Sequence, residues 1–497
     1  MLTVTLPHEA ATIRLGEAVA LALTRGDLVA LSGPLGAGKS TLARATVRTA
    51  ISDPNAEVPS PTFTLVQSYE GAGFGHLAHL DLYRLESPDE LVELGLDDAL
   101  QQGVALVEWF ERANGEAGEP SLLIELSIDG DGRTATMTGP AAERVERSLA
   151  VRAFLNANGY EHAVRHFLTG DASSRSYETI TAADGTQTVF MNAPAQPDGP
   201  ILPAYGVPYS RIARLAEDMN AFAGVTSILR GAGFAAPAIH AADIDDGLLH
   251  IEHLGSDTIL HADGSPDPER AMASARTLAA LHDARLPHEI ALPDEWRGAT
   301  HHALPPYDHA AMHIEAGLFV DWYAPRAFGK PLAEERVVAF RDIWSSLFDR
   351  LADKEMTMLL RDFHSPNIVW REDRSGHDRV GLIDVQDAVV GPAAYDVASL
   401  AQDARVDISP ELEAQIVNAY ADARTTPFDR EEFDETYAIM AAQRATKVAG
   451  IFVRLSQRDG KHSYLTHLPR IERYLTRSLQ HPVLTQYRSW MDGMLPT

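Results

Sequence analysis

The sequence predicts an α/β part over residues 1–142 joined to an α+β part over residues 143–497. Three observations carry this: short apolar runs alternate with helical stretches up to residue 139; a glycine-rich turn near residue 35 sits between a strand and a helix; and past residue 265 helices dominate. At 497 residues the chain is well beyond the ~100–200 residues usual for one domain.

In order along the chain, Leu28–Ser32, Ala105–Trp109 and Ser121–Ile128 are apolar runs of strand length, and Glu9–Arg25, Lys39–Ala50 and Pro88–Gln101 read as helical. Gly130–Thr134 and the Gly139–Pro140 step punctuate the last strands. Residues 141–160 then form an amphipathic helical pattern with Val145, Leu149, Val151 and Leu155 apolar, which places the boundary near residue 142. Beyond it, Ser176–Thr181, Thr188–Asn192 and Leu248–His253 read as strands around a helical Ser210–Gly231. These form a small lobe at about residues 150–255, followed by a large lobe at about 256–497. Asn192–Pro208 is a loop by its Ala/Pro/Gly content.

Composition removes several classes of function. The 42 basic and 70 acidic residues leave a net charge of −28, which argues against a chain that wraps nucleic acid by neutralising phosphates. No apolar run approaches the ~20 residues of a membrane helix, so no membrane role is expected. Zero cysteines exclude disulfides, thiolate metal sites and cysteine nucleophiles. The start lacks a basic region followed by an apolar one, so the expected location is the cytoplasm. Only five lysines occur, Lys39, Lys330, Lys354, Lys447 and Lys461, so lysine chemistry has few places to reside.

Gly33-Pro34-Leu35-Gly36-Ala37-Gly38-Lys39-Ser40 follows an apolar strand and precedes a helix, the setting of a phosphate-binding P-loop. Gly33, Gly36 and Gly38 let backbone N–H groups converge on phosphates, Lys39 reaches the β and γ oxygens, and Ser40, followed by Thr41, points to Mg²⁺. The fold expected is therefore a P-loop NTPase. Asp81, in His79-Leu80-Asp81-Leu82-Tyr83, and Glu108, at the end of a strand, are candidates to complete the metal site. A helix cap or surface acid is the other reading of each. Thr62 lies in a proline-shaped loop that could sense a γ-phosphate or be a plain loop.

The ordered strings GPLGAGKST, SPTFTLV, HLDLYRL, ELGL and VEW, spread over residues 1–139, resemble the small ATPase subunit of the bacterial tRNA threonylcarbamoyladenosine synthesis complex. The resemblance implies that Lys39, Ser40, Asp81 and Glu108 form an ATP and Mg²⁺ site with Trp109 near the nucleotide. It also implies protein partners, the other subunits of the threonylcarbamoyl-transfer complex, with tRNA engaged only indirectly. A free-standing metabolite kinase is the rival reading. It would need a lid of basic residues, and this segment has one lysine and scattered arginines.

In the second part, Asp362 and Asn367 stand five apart in LLRDFHSPNIVW, and Asp384 ends the next apolar strand. That order matches a kinase catalytic loop: Asp362 as base for an acceptor hydroxyl, Asn367 and Asp384 as Mg²⁺ ligands. A bilobal protein-kinase-like fold follows. Asp396 reads as a helix cap or a brace for that loop. The small lobe lacks the expected strand lysine, with Met191 or Asn192 in its place. Ser173, Ser174 and Arg175 in GDASSRSYE are candidates to hold the ATP phosphates instead, the other reading being an ordinary hairpin. Glu217 is either a regulatory-helix acid or a surface residue. Gln443, Arg444 and Lys447 are read as substrate-side groups or, more simply, as solvated or inter-helix ion-pairing groups.

The strings GDASSRSY, FMNAP, HIEHLG, LFVDWY, RDFHSPN, IDVQDA and AAQRATKVAGIFVRL resemble the aminoglycoside phosphotransferase family, in its branch of anomeric N-acetylmuramate and N-acetylglucosamine kinases. The resemblance implies an amino-sugar substrate from cell-wall recycling. This sequence departs from the branch at Asn192, where an acid is usual, and at Leu360, where many relatives carry His. Aminoglycoside phosphorylation and a non-catalytic nucleotide-binding module are the alternatives.

Overall fold

The computed structural model describes residues 1–495 except 72, 86–89, 169–174, 196, 197, 204 and 217, and the side chain of residue 92. Residues 1–193 with 248–251 form one compact unit; residues 194–247 with 252–497 form a second.

In the first unit the elements are β1 Leu2–Leu6, α1 Glu9–Ala22, β2 Leu28–Ser32, α2 Lys39–Ala50, β3 Val66–Gly71, β4 Gly75–Asp81, α3 Glu90–Glu93, α4 Leu96–Gln102 and β5 Gly103–Glu108. They continue with β6 Leu122–Asp129, β7 Gly132–Thr138, α5 Ala142–Ala157, β8 Val164–Leu168, β9 Ser176–Thr181 and β10 Gln187–Asn192. Seven strands form one sheet ordered β1-β7-β6-β2-β5-β4-β3. Its centre is parallel, β2 pairing with β5 and β6 and β4 with β5, while β1–β7, β6–β7 and β3–β4 are antiparallel. A parallel centre is covered on both faces, and β5, Gly-Val-Ala-Leu-Val-Glu, is buried at every residue.

The expected helix over 88–101 is broken, because Gly95 takes the left-handed φ of +70° and separates α3 from α4. The amphipathic α5 does more than link two sheets. Val145 packs in the core of the seven-stranded sheet, whereas Val151 and Leu155 pack with Ala163, Ile180, Phe190 and Leu248. Each fully buried side chain of this kind contributes roughly 1.5–3 kcal/mol. The boundary expected at residue 142 thus falls inside the first unit. There β8, β9, β10 and Leu248–Ile251 of the following strand lie side by side, in that order, in a second sheet.

A buried ionic cluster ties these pieces together. On β8, Arg165 donates to Glu178 of β9 at 2.6 and 2.8 Å and to the Ser148 carbonyl of α5 at 3.0 Å. Arg152 of α5 donates to both oxygens of Glu17 on α1 at 2.7 Å. Burial disfavours a charged Arg165, but Glu178 and Glu17 outweigh it and raise its pKa.

In the second unit the expected helix Ser210–Gly231 is two helices, Tyr209–Ala213 and Met219–Gly231. Arg214 ends the first in a left-handed conformation, φ +57°, and the Asp218 carboxylate caps the second through the N–H of Asn220 at 2.9 Å. Glu217 lies outside the described residues. The long helix Arg430–Asp459, capped by Asp429, runs through the core. A Cβ on its Gly450 would sit 2.4 Å from the Leu318 backbone, so only glycine permits that approach. Two short hairpin-like pairs, Met356–Leu359 with Val389–Pro392 and Ile368–Trp370 with Val380–Leu382, frame the loop that carries Asp362. Among the described residues no helix is long and apolar enough to cross a membrane.

Candidate functional site

In the first unit the Gly33–Ser40 turn leaves β2 and enters α2. Gly33 and Gly38 sit at φ +136° and +103°, and a Cβ on Gly33 would lie 2.2 Å from the Leu126 carbonyl oxygen. Lys39 Nζ donates to the carbonyls of Gly33 at 2.6 Å and Pro34 at 3.1 Å, and lies 3.4 Å from the centre of the Trp109 ring. Burial lowers the pKa of Lys39, opposed by Glu111, Glu108 and Asp81. The lysine thus lies beside the turn, with Trp109 at φ +57° stacked against it.

The parallel register pairs Asp81 with Glu108 and Glu108 with Leu31, so both acids end strands beside the β2 turn. Glu108 is fully buried. Its Oε2 accepts from Ser40 Oγ at 2.8 Å, and its Oε1 lies 3.0 Å from His79 Nε2. Asp81 Oδ2 accepts from Ser60 Oγ at 2.9 Å and Thr62 Oγ1 at 2.6 Å, while Oδ1 accepts from the N–H of Tyr83 at 3.0 Å. Neither acid is a surface residue. Thr62, read as a phosphate sensor or plain loop, is held by the acid of the site. A serine hydroxyl and two carboxylates are hard oxygen donors of the kind Mg²⁺ takes together with nucleotide phosphates. Thr41 lies in the first turn of α2. His79 and Glu111, which accepts from Ser32 Oγ at 2.7 Å, went unforeseen. The signal for His79 is a histidine two residues before Asp81 on the same face of an apolar strand.

In the second unit, Asp396 is fully buried and accepts from the N–H groups of Leu360 at 2.6 Å and Arg361 at 2.9 Å. It braces the loop and supports Arg361 in a left-handed conformation, φ +64°. Asp362 follows directly, and among the described residues no hydrogen-bond donor reaches its carboxylate. Asn367 donates from Nδ2 to the Asp362 carbonyl at 3.0 Å, which leaves its amide oxygen as an acceptor. Asp384, φ +58°, follows the strand Val380–Leu382, and its Oδ1 accepts from Gln386 Nε2 at 2.8 Å. Asn367 and Ile383 are joined by a backbone hydrogen bond of 3.1 Å, which places the segments carrying the two candidate metal ligands side by side. The amide and carboxylate oxygens again suit Mg²⁺.

Arg361 Nη1 donates to the carbonyls of Ala213 at 3.0 Å and Arg214 at 3.1 Å, and its Nη2 to Glu315. Glu315 also pairs with Lys447 at 2.8 Å and accepts from the Tyr307 hydroxyl at 2.5 Å. Burial raises the Glu315 pKa, but Lys447 and Arg361 lower it further, so the group stays charged. Lys447 is thus an inter-helix ion-pairing group, while Gln443 and Arg444 are buried, Arg444 donating to the Gln402 carbonyl at 3.1 Å. Replacing Glu315 by Gln leaves two buried cations without their anion. The expected loss is about 3–5 kcal/mol of stability, read as a lowered midpoint of urea unfolding; an unchanged midpoint would refute the charge assignment.

Of the phosphate candidates, Ser173 and Ser174 lie outside the described residues, and Arg175 immediately precedes β9. Asn192, at the end of β10, accepts from Arg147 Nε on α5 at 2.8 Å, so this departure from the branch is tied to the helix that joins the two sheets.

Comparison with known proteins agrees with both halves. Residues 6–136 match the family described as threonylcarbamoyl adenosine biosynthesis protein TsaE, and residues 165–435 the phosphotransferase enzyme family. An N-acetylmuramate/N-acetylglucosamine kinase of Caulobacter vibrioides is 33% identical over 361 residues, covering 71% of this chain and 97% of its own. One from Neisseria meningitidis serogroup B is 31% identical, covering 63% and 84%. A tRNA threonylcarbamoyladenosine biosynthesis protein TsaE of Rickettsia bellii is 36% identical over 134 residues, covering 27% of this chain and 92% of its own. The chain is therefore an ATP-using enzyme that joins two families, belonging through its N-terminal part to the TsaE proteins and through its C-terminal part to the phosphotransferases, on the side of the N-acetylmuramate/N-acetylglucosamine kinases.

Proposed function

We propose that residues 1–142 act as an ATPase supporting threonylcarbamoylation of tRNA adenosine 37. Residues 143–497 would transfer the γ-phosphoryl group of ATP to the anomeric hydroxyl of N-acetylmuramate or N-acetylglucosamine during cell-wall recycling in the cytoplasm. The observation that carries the second half is the Asp396-braced loop that presents Asp362, whose carboxylate has no hydrogen-bond donor among the described residues, beside Asn367 and the segment of Asp384.

In this reading the Asp362 carboxylate accepts the proton of the sugar hydroxyl as its oxygen bonds to phosphorus, and ADP leaves with the bridging oxygen. Asn367 and Asp384 hold Mg²⁺, which neutralises phosphate charge. In the first half, Lys39 and the Gly33–Ser40 amides hold the ATP phosphates, and Ser40, Asp81 and Glu108 hold Mg²⁺. Partner subunits of the threonylcarbamoyl-transfer complex carry out the chemistry on tRNA, so this acidic chain engages tRNA only through them. Arg175, with Ser173 and Ser174, takes the place of the absent small-lobe lysine. Arg175→Ala is expected to raise KM for ATP in sugar phosphorylation about tenfold, the worth of one charge-assisted contact. An unchanged ATP dependence would reject that role. Assays of sugar phosphorylation and of tRNA modification with partner subunits test the two halves separately.

A further inference from the structure

A cavity of about 340 Å³ opens in the first unit between α1, α2 and β8, a volume within the range of small-molecule sites. Arg14 of α1 and Arg44 and Arg48 of α2 line it, with His166 of β8 and two exposed apolar side chains, Ile13 and Val164. The spacing explains the convergence: Arg44 and Arg48, four apart, share one face of α2. Neither is a loose surface arginine. Arg44 Nε donates to the Val58 carbonyl at 3.3 Å and Arg48 Nε to the Ala56 carbonyl at 2.9 Å, which fixes each guanidinium and, among the described residues, leaves its other N–H donors uncommitted.

Among the described residues no carboxylate is within ion-pair distance of Arg14, Arg44 or Arg48. Of the two acids lining the cavity, Glu17 is held by Arg152 at 2.7 Å and lies 3.6 Å from Arg165, and Glu9 is exposed in the first turn of α1. Two fixed cations and an exposed third, with no carboxylate at ion-pair distance among the described residues, in a chain of net charge −28 form a local arrangement that a dianion relieves. Guanidinium forks match phosphate oxygens in geometry. The apolar Ile13 and Val164 give a carbon-bearing ligand something to pack on, and the concave shape suits a small molecule better than a polyanion.

We infer that this cavity binds a small organic phosphate monoester, separately from the P-loop and from the Asp362 site. A ligand there touches both α2, which begins with Lys39 of the P-loop, and β8 of the second sheet. The inference rests on the cavity and not on either proposed reaction.

The absence of cysteine allows a single local reporter. Pro54→Cys, on the exposed rim, carries an environment-sensitive fluorophore in the full chain, which is titrated with N-acetylglucosamine 1-phosphate, AMP and inorganic phosphate. The expected result is a saturable signal with at least one ester, with Kd at least tenfold higher in Arg44→Gln/Arg48→Gln. Equilibrium dialysis of the radiolabelled ester against unlabelled chain should count one site fewer in the double variant. Which ester binds more tightly identifies the source, a sugar phosphate or a nucleotide. Should the double variant melt at a lower temperature, Arg14→Gln on the exposed face of α1 replaces it, with an expected rise of about threefold. No saturation by any probe, saturation unchanged in the arginine variants, or equal affinity for inorganic phosphate and both esters would overturn the assignment.

Discussion

Replacing Asp362 by Asn is expected to lower the rate of sugar phosphorylation by at least about 10²-fold, the usual worth of a positioned general base, while P-loop ATP hydrolysis continues at its original rate. The substitution keeps volume and hydrogen-bonding shape. The loop beneath it is fixed by Asp396 through the N–H groups of Leu360 and Arg361, not by the Asp362 side chain, so the fold is preserved. KM for ATP should change little, because Asn367 and Asp384, not Asp362, are the residues proposed to hold the metal. A coupled assay that reports ADP with and without sugar separates the two activities in one sample. Equal loss of both would mean one coupled site rather than two.

Replacing Lys39 by Ala should produce the mirror image. Loss of the charge proposed to reach the β and γ phosphates is expected to reduce P-loop ATP hydrolysis about 10²-fold or more and to abolish support of tRNA threonylcarbamoylation, while sugar phosphorylation persists. Trp109 gives an independent readout, since Lys39 lies over its ring at 3.4 Å. Its fluorescence should change on the substitution and should then respond weakly to ATP. Full ATPase activity in Lys39→Ala would exclude the P-loop as the site of ATP hydrolysis.

The local placement of the candidate residues of both sites was legible in the sequence because each depends on short spacings. Gly33–Ser40 lies between a strand and a helix, and Asp362, Asn367 and Asp384 follow one another within one loop and its next strand. Strand ends were legible too: an acid at the end of an apolar run, Glu108, faces the turn of its parallel neighbour. What stayed hidden depends on partners far apart in the chain. Nothing in Glu17 announces Arg152 and Arg165, and nothing in Glu315 announces Arg361 and Lys447, because ion pairs between helices and sheets carry no periodic signal. The two broken helices fell to backbone conformation, Gly95 and Arg214 at positive φ, which apolar spacing does not report. The boundary at residue 142 followed a change in pattern, whereas packing follows α5, whose Val145 serves one core and whose Val151 and Leu155 serve another.

One chain is proposed to hold an ATPase site and, separately, an anomeric sugar-kinase site. The most direct test incubates the full chain with ATP, Mg²⁺ and, in turn, N-acetylmuramate, N-acetylglucosamine and an aminoglycoside, with Asp362→Asn as the blank, and assigns the phosphorylated position by ³¹P NMR. The expected result is a phosphate on the anomeric oxygen of an amino sugar, absent in the blank and retained in Lys39→Ala. Phosphate on an aminoglycoside hydroxyl alone, or no transfer to any acceptor while ATP is still bound, would contradict it.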